Sequence, residues 1–86
     1  MKLRISGKVQ GVFFRAGALE EAKELGVTGW IKNNPDGTVE LHAEGPEAAL
    51  EQFIEWCHDG PRGAQVKAIE ATPESEQGFL SFDIRH

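Results

Sequence analysis

The sequence predicts an α+β sandwich in which two helices cover one face of an antiparallel sheet. Apolar and polar residues alternate in four segments, at the spacing of two that is typical of strands. Two further segments repeat apolar residues at helical spacing, and an Asn-Pro-Asp-Gly turn joins the second strand to the third. The resulting order is β-α-β-β-α-β with one additional short strand, which is typical of the ferredoxin-like sandwich.

The first strand and the first helix are predicted from a change of period at residue 16. Leu3, Ile5 and Val9 alternate with basic and polar residues, so one face of this strand is expected to lie in the core. From residue 16 onwards the apolar residues recur at helical spacing, with charged residues between them. We expect this helix to begin near Phe14 or Arg15 and to be closed by a glycine cap at residue 26.

A β-hairpin is predicted in the middle of the chain. Residues 27–33 form its first strand, which ends at Asn33, and residues 34–37 form the turn, because proline presets the turn and glycine accepts a positive φ. The return strand covers residues 38–44. Its predicted inward residues are Val39, Leu41 and Ala43, and its predicted outward residues are Glu40, His42 and Glu44.

The last elements are a second helix and two strands. The helix opens at residues 45–47, where proline suits the first helical position, and stops at residues 59–61. A looser strand follows at residues 65–71, then a polar loop at 73–78 and a final strand in which Leu80, Phe82 and Ile84 share the inward face. We expect the first and third strands to be central, and residues 1–86 to form one domain.

The charge distribution favours a small anionic ligand and argues against nucleic acid. The formal net charge is −5 at pH 7, whereas nucleic-acid binders depend on Lys and Arg contacts to phosphates. Residues 1–32 nevertheless carry a net charge of +3 and the remainder carries −8. This end of the chain could attract a small anion while the rest repels a long polyanion. Scattered surface charge without a ligand is the alternative on this observation alone.

The cysteine content and the hydropathy favour a cytoplasmic protein. Cys57 is the only cysteine, so no internal disulfide can form. There is no basic leader followed by a long apolar run, and the apolar stretches are far shorter than the roughly 20 residues that cross a bilayer. We expect a monomer in the cytoplasm, with no membrane partner.

The sequence predicts no metal site and no catalytic cysteine. His42 is predicted to face outwards, His58 follows the second helix and His86 is the last residue, so no two histidines have metal-ligand spacing. Cys57 falls on the buried face of the second helix, where a role in the core is favoured over nucleophilic catalysis.

The stretch GKVQGVFFR at residues 7–15 predicts an anion-binding loop between the first strand and the first helix. The backbone N–H groups of Gln10, Gly11, Val12 and Phe13 have no strand or helix partners there, and a turn at Gly11 can direct them at one anion. Arg15 then adds a permanently charged fork that suits phosphate. The spacing matches neither common nucleotide-binding glycine motif. An ordinary connection with a solvated arginine remains the alternative, and the two adjacent phenylalanines are expected to fill the core.

Together with GWIKN at residues 29–33, this stretch resembles the signature of acylphosphatases, which hydrolyse carboxyl-phosphate bonds. The likeness extends to the D-G-T-V hairpin, the E-G-P helix start and the closing S-F-D-I-R, and so covers essentially the whole chain. It implies that Arg15 binds the substrate phosphate, that the loop amides hold the same group and that Asn33 holds the attacking water. It implies a small acyl phosphate as substrate and no metal or organic cofactor.

Two departures and three alternatives accompany the resemblance. Vertebrate members commonly have threonine where this chain has Asn34, and many end in tyrosine where it has His86. An acylphosphatase-like domain that hydrolyses carbamoyl phosphate, as in larger hydrogenase-maturation proteins, is a close variant. A non-catalytic module that binds an anion or a protein on the same fold is the second alternative. Asn33 could also be only a strand-end residue that caps the following turn.

Overall fold

The computed structural model describes residues 1–86 and contains five strands and two helices. Their order confirms the predicted β-α-β-β-α-β pattern with one additional strand. The elements are β1 (Lys2–Lys8), α1 (Phe14–Leu25), β2 (Thr28–Asn33), β3 (Val39–Glu44), α2 (Glu47–Asp59), β4 (Gln65–Thr72) and β5 (Phe82–Arg85).

The five strands form one sheet in the order β4-β1-β3-β2-β5. Three neighbouring pairs are antiparallel, whereas β5 runs parallel to β2, so the sheet is mixed rather than wholly antiparallel. The parallel pair arises because β3, α2 and β4 separate β5 from β2 and let the chain return in the direction of β2. The first and third strands are interior, as expected, and β5 makes β2 interior as well.

Both helices pack on the same face of this sheet, which confirms the ferredoxin-like sandwich. The core joins alternate residues of the strands to the inner faces of both helices. Its buried members are Leu3, Ile5, Val9, Phe14, Ala18, Ala22, Val27, Ile31, Val39, Leu41, Ala43, Phe53, Cys57 and Phe82. The helix α1 begins with the buried Phe14 and is closed by Gly26 at φ 74°, the left-handed conformation that glycine adopts at helix ends.

The outer face of β3 is more buried than the alternation predicted. His42 and Glu44 point away from the helices, but they are only 0% and 7% exposed, and both contact the segment 74–79 that follows β4. The two ring nitrogens of His42 lie 2.7 Å from Glu44 Oε2 and 2.7 Å from Glu74 Oε1. Glu44 also accepts hydrogen bonds from the backbone N–H groups of residues 77–79. The hydrogen bond from His42, together with these backbone donors, lowers the pKa of Glu44 to about 2.

Gly7, the first residue of the GKVQGVFFR stretch, lies in a strand and outside the anion-binding loop. It lies in β1 at a bulge in the pairing with β4, with φ 123°. A side chain at this position would place its Cβ 2.1 Å from the carbonyl oxygen of Gln65. The glycine therefore permits a close approach of two strands and does not shape the anion-binding loop.

The final strand is shorter than predicted. β5 begins at Phe82, and Leu80 is 98% exposed in the segment before it rather than sharing the inward face. The position of Phe82 in the core and the partial burial of Ile84 agree with the predicted alternation. Neither helix combines the length and the apolar character needed to span a membrane.

Candidate active site

The predicted site has two parts that are distant in sequence, the loop after β1 with Arg15 and the end of β2 with Asn33. The topology brings both parts to one edge of the sheet. Because β2 and β5 are neighbours and parallel, their carboxyl ends lie at the same edge, with Lys32 opposite Arg85. Asn33 ends β2 at this edge, and His86 follows β5 directly. The loop from β1 and the N-terminus of α1 complete the same region, so residues far apart in sequence share one cavity.

The loop at residues 9–13 presents backbone donors without protein partners. None of the backbone hydrogen bonds outside the helices and strands is donated by residues 10–13. Gly11 and Phe13 have φ values of 75° and 62°, and Phe13 is the N-cap of α1 with no side-chain capping hydrogen bond. Successive amides in such conformations, followed by a helix N-terminus, form a concave arrangement that is suited to an anion.

The side chain of Gln10 anchors the loop rather than lining the cavity. Its Nε2 donates hydrogen bonds of 2.8 and 2.9 Å to the backbone carbonyls of Asn34 and Thr38. These bonds tie the loop to the hairpin between β2 and β3, and so fix the loop relative to Asn33. The side chain of Val12 packs against the core. Of the four predicted loop residues, Gly11 and Phe13 line the cavity, whereas Gln10 and Val12 do not.

The guanidinium of Arg15 has no carboxylate partner. The side chain starts in the first turn of α1, and its Nη1 lies 3.4 Å from Nδ1 of His86. The salt bridges of the protein are formed by other residues. A guanidinium without a carboxylate partner, in the same cavity as the loop, provides the positive charge and the planar fork that bind phosphate well.

Asn33 carries the only buried side-chain oxygen or nitrogen without a hydrogen-bond partner. The atom is Oδ1, and the residue lies at the end of β2, opposite Val39. Such orphaned acceptors are rare in folded proteins, and each calls for an explanation such as a ligand, a water or a catalytic role. The neighbouring Asn34 is different, because its Nδ2 donates to Thr38 Oγ1 at 3.1 Å and to Glu40 Oε1 at 3.2 Å.

The cavity at this edge has a volume of about 400 Å³. It combines polar groups with an apolar wall. Its lining residues are Val9, Gly11, Phe13, Phe14, Arg15, Ala16, Asn33, Ile84 and His86. Both residues predicted to be catalytic, Arg15 and Asn33, therefore face one space together with part of the predicted loop.

The other reactive side chains lie away from this cavity. Cys57 is fully buried, and burial, with a further contribution from the charge of Glu21, raises the pKa of its thiol to about 12. A neutral buried thiol is a poor nucleophile, which agrees with the predicted core role. No group of three or more His, Cys, Asp or Glu side chains is arranged to hold a metal ion.

The family assignment rests on similarity along nearly the whole chain. The family model described as Acylphosphatase matches residues 1–84. The chain belongs to the acylphosphatase family. A relative from Nocardioides sp. (strain ATCC BAA-499 / JS614), named Acylphosphatase, is 49% identical over 81 residues, which are 94% of this chain and 82% of the relative.

Solved acylphosphatase structures have the same fold. The crystal structure of acylphosphatase from Bacillus subtilis matches with a TM-score of 0.95 and 40% identity, covering 99% of this chain and 96% of that one. The acylphosphatase from Coxiella burnetii matches with a TM-score of 0.94 and 38% identity, covering 98% of this chain and 88% of that one.

Three features of this acylphosphatase cavity were missed at the level of sequence. His86 lines the cavity and contacts Arg15, although it had been noted only as a departure from the family pattern. Ile84 contributes to the apolar wall of the cavity. The sequence feature that could have indicated this is its inward position in the alternation of the last strand. The side chain of Phe13 is 83% exposed rather than part of the core, and only Phe14 fills the core as expected.

Proposed function

We propose that this acylphosphatase hydrolyses small acyl phosphates to a carboxylate and inorganic phosphate, with Arg15 and the loop amides binding the phosphate and Asn33 positioning the attacking water. The observation that carries the mechanism is that Asn33, whose Oδ1 is buried without a hydrogen-bond partner, lines the same cavity as Arg15, whose guanidinium has no carboxylate partner. One group can orient a neutral water, and the other can hold the anion that this water attacks.

The proposed reaction is a single displacement at phosphorus. The oxygen of water forms a bond to phosphorus while the bond from phosphorus to the acyl oxygen breaks, and the bonding electrons leave with the carboxylate. The protons of the water remain with the phosphate product. A carboxylate is a good leaving group, so the site needs no strong general acid, and positioning with charge stabilisation carries the catalysis.

The roles of Arg15 and of the loop follow from where negative charge resides. The phosphoryl oxygens carry charge both in the bound substrate and in the transition state. Arg15 and the N–H donors of residues 10–13, including the amides of Gln10 and Val12, would therefore support binding and turnover alike. Asn33 cannot act as a base, because an amide is not appreciably basic. Its Oδ1 accepts a hydrogen bond from the water and aligns it.

We further propose that residues 1–86 act as a single, monomeric, cytoplasmic domain with no nucleic-acid or membrane partner. The net charge of −5 opposes binding to polyanions. The single cysteine is free and buried, which is compatible with a reducing compartment.

The test of the proposed function is hydrolysis of benzoyl phosphate by the purified protein, with inorganic phosphate as a competitive inhibitor. A non-catalytic module on the same fold would bind phosphate without turnover. Binding without hydrolysis would therefore favour that alternative and overturn the enzymatic assignment.

A further inference from the structure

His42 is a fully buried histidine that takes no part in the proposed reaction. It lies on the outer face of β3 and does not line the cavity. Its Nε2 lies 2.7 Å from Oε2 of Glu44, and its Nδ1 lies 2.7 Å from Oε1 of Glu74. Both nitrogens of one imidazole ring are therefore in hydrogen-bond contact with a carboxyl oxygen.

These two contacts determine how many protons the ring needs. A neutral imidazole donates one hydrogen bond only, and an ionised carboxylate donates none. Glu44 is ionised at neutral pH, because the hydrogen bond from His42 and those from the backbone N–H groups of residues 77–79 lower its pKa to about 2. Glu74 keeps one third of its side chain exposed to water, which favours its ionised form. Only an imidazolium can donate to both carboxylates at once.

The segment 74–79, here called the covering segment, is held to the sheet at this cluster. It forms neither helix nor strand, and none of its residues takes part in a backbone-to-backbone hydrogen bond outside those elements. Its backbone N–H groups at residues 77–79 donate to Glu44, and its Glu74 contacts His42. The attachment of this segment by hydrogen bonds therefore depends on the side chains of His42 and Glu44.

The other groups around His42 act on the ring less directly. Trp30 stacks on it with ring centroids 6.5 Å apart, and Phe79 of the covering segment packs against it at 5.4 Å. Six further charged groups belong to the surrounding segments: the Met1 ammonium, Lys2, Lys32, Glu40, Glu76 and Arg85. The hydrogen bonds and salt bridges of His42 involve none of these six. The two contacting carboxylates therefore dominate the electrostatics of the ring.

We propose that His42 is an imidazolium in the folded protein and forms a pH-sensitive clamp, which holds the covering segment to the sheet and releases Glu74 when the ring loses one proton. The neutral ring keeps its single N–H for Glu44, because that side chain is 7% exposed and has little access to water, whereas Glu74 is 33% exposed. The bare nitrogen then directs its lone pair at Glu74, which turns to solvent. Since the folded state binds the additional proton, this stabilisation is present at low pH and is lost as the pH rises.

The direct test is ¹⁵N NMR of the His42 ring in the wild type. At about pH 7 an ordinary histidine, with a pKa of about 6.5, is mostly neutral. Two protonated ring nitrogens at this pH are expected, and ¹⁵N relaxation should show the covering segment becoming mobile as the second proton is lost at higher pH. A neutral His42 ring at this pH would overturn the clamp, as would a covering segment whose mobility does not follow the charge of the ring.

Glu74→Gln tests the same clamp through stability. The amide of glutamine accepts from an imidazolium and donates to a neutral ring, so the variant should hold the covering segment whether or not the ring is charged. We therefore expect the unfolding constant of Glu74→Gln, divided by that of the wild type, to fall about ten- to a hundredfold between about pH 5 and about pH 9 in urea unfolding.

Glu76→Gln is the matched control, since it removes the same charge from the covering segment at a residue that does not contact His42. Its ratio to the wild type should change by less than about threefold over the same range of pH. A ratio for Glu74→Gln that is independent of pH, or an equal change in Glu76→Gln, would overturn the clamp.

Discussion

Replacing Asn33 by alanine should separate the activity of this protein from its stability. In the folded protein, Oδ1 of Asn33 is buried and has no hydrogen-bond partner. A buried polar group without a partner costs about 1–3 kcal/mol of folding free energy. Asn33→Ala removes that cost and loses only limited packing, because the residue is partly exposed. The free energy of unfolding should therefore stay within about 1 kcal/mol of the wild type or rise.

The same substitution should greatly reduce turnover. Under the proposed mechanism, Asn33→Ala removes the group that aligns the attacking water. This is comparable to the loss of one preorganised hydrogen-bonding group in other enzymes. Such losses lower kcat by about 10²–10³, or about 2.7–4 kcal/mol in activation free energy. Phosphate affinity should change little, because Arg15 and the loop amides remain. The effect should therefore fall on kcat more than on KM.

Asn34→Ala is the matched control, since it removes the same side chain one residue later. Asn34 donates two hydrogen bonds within the hairpin, to Thr38 and Glu40. Losing both should cost about 1–3 kcal/mol of stability, with turnover per folded molecule largely retained. The assay is kcat with benzoyl phosphate, corrected for the folded fraction, alongside urea unfolding and phosphate binding. If folded Asn33→Ala turns over within about threefold of the wild type, where the water-positioning role requires a loss of 10²–10³, that role is refuted.

Three further outcomes are expected. Arg15→Ala should weaken phosphate binding as well as kcat, so that millimolar phosphate raises the melting temperature of the wild type but not of the variant; equal shifts in both would contradict the phosphate contact. Glu44 has a folded-state pKa of about 2, below the ordinary value of 4.5, so its contribution to stability is complete above about pH 4.5 and is lost as the pH falls towards 2. Urea unfolding should therefore show Glu44→Gln to be less stable than the wild type at pH 7, with a difference that shrinks at pH 2.5; a difference independent of pH would argue against this linkage. Hydrolysis should persist after exhaustive treatment with EDTA, and a loss that a divalent ion restores would contradict the metal-free mechanism.

Local sequence patterns were sufficient for the elements and for most of the fold. Alternation at a period of two indicated the strands, and the change of period placed the start of α1 near Phe14 or Arg15; the helix begins at Phe14. Gly26 marked the end of that helix because a left-handed cap is a local requirement. Each of these signals depends on neighbouring residues only, so no knowledge of the rest of the chain was needed.

The chemistry of the loop indicated Arg15 and the amides of residues 10–13, whereas the role of Asn33 came only from the family resemblance. Arg15 and Asn33 are separated by a helix and a strand, and nothing in the spacing alone required them to meet. The structure brings them to one cavity because β2 ends beside the N-terminus of α1, where the side chain of Gln10 anchors the loop to the hairpin. The unpartnered state of Asn33 Oδ1 could be seen only once the surrounding atoms were in place.

The sequence by itself determined which residues alternate, where the chain turns and to which family it belongs. Only the tertiary structure decided which segments cover each face of the sheet and which strand and helix ends, distant in sequence, lie close together. His42 and Glu44 have the predicted parity, yet both are buried, with contacts to the segment 74–79. Phe13 is an apolar residue that was expected in the core, yet it has a positive φ and its side chain is exposed. Burial and cavity formation depend on contacts between segments that are far apart in sequence, and periodicity reports only the geometry of one segment.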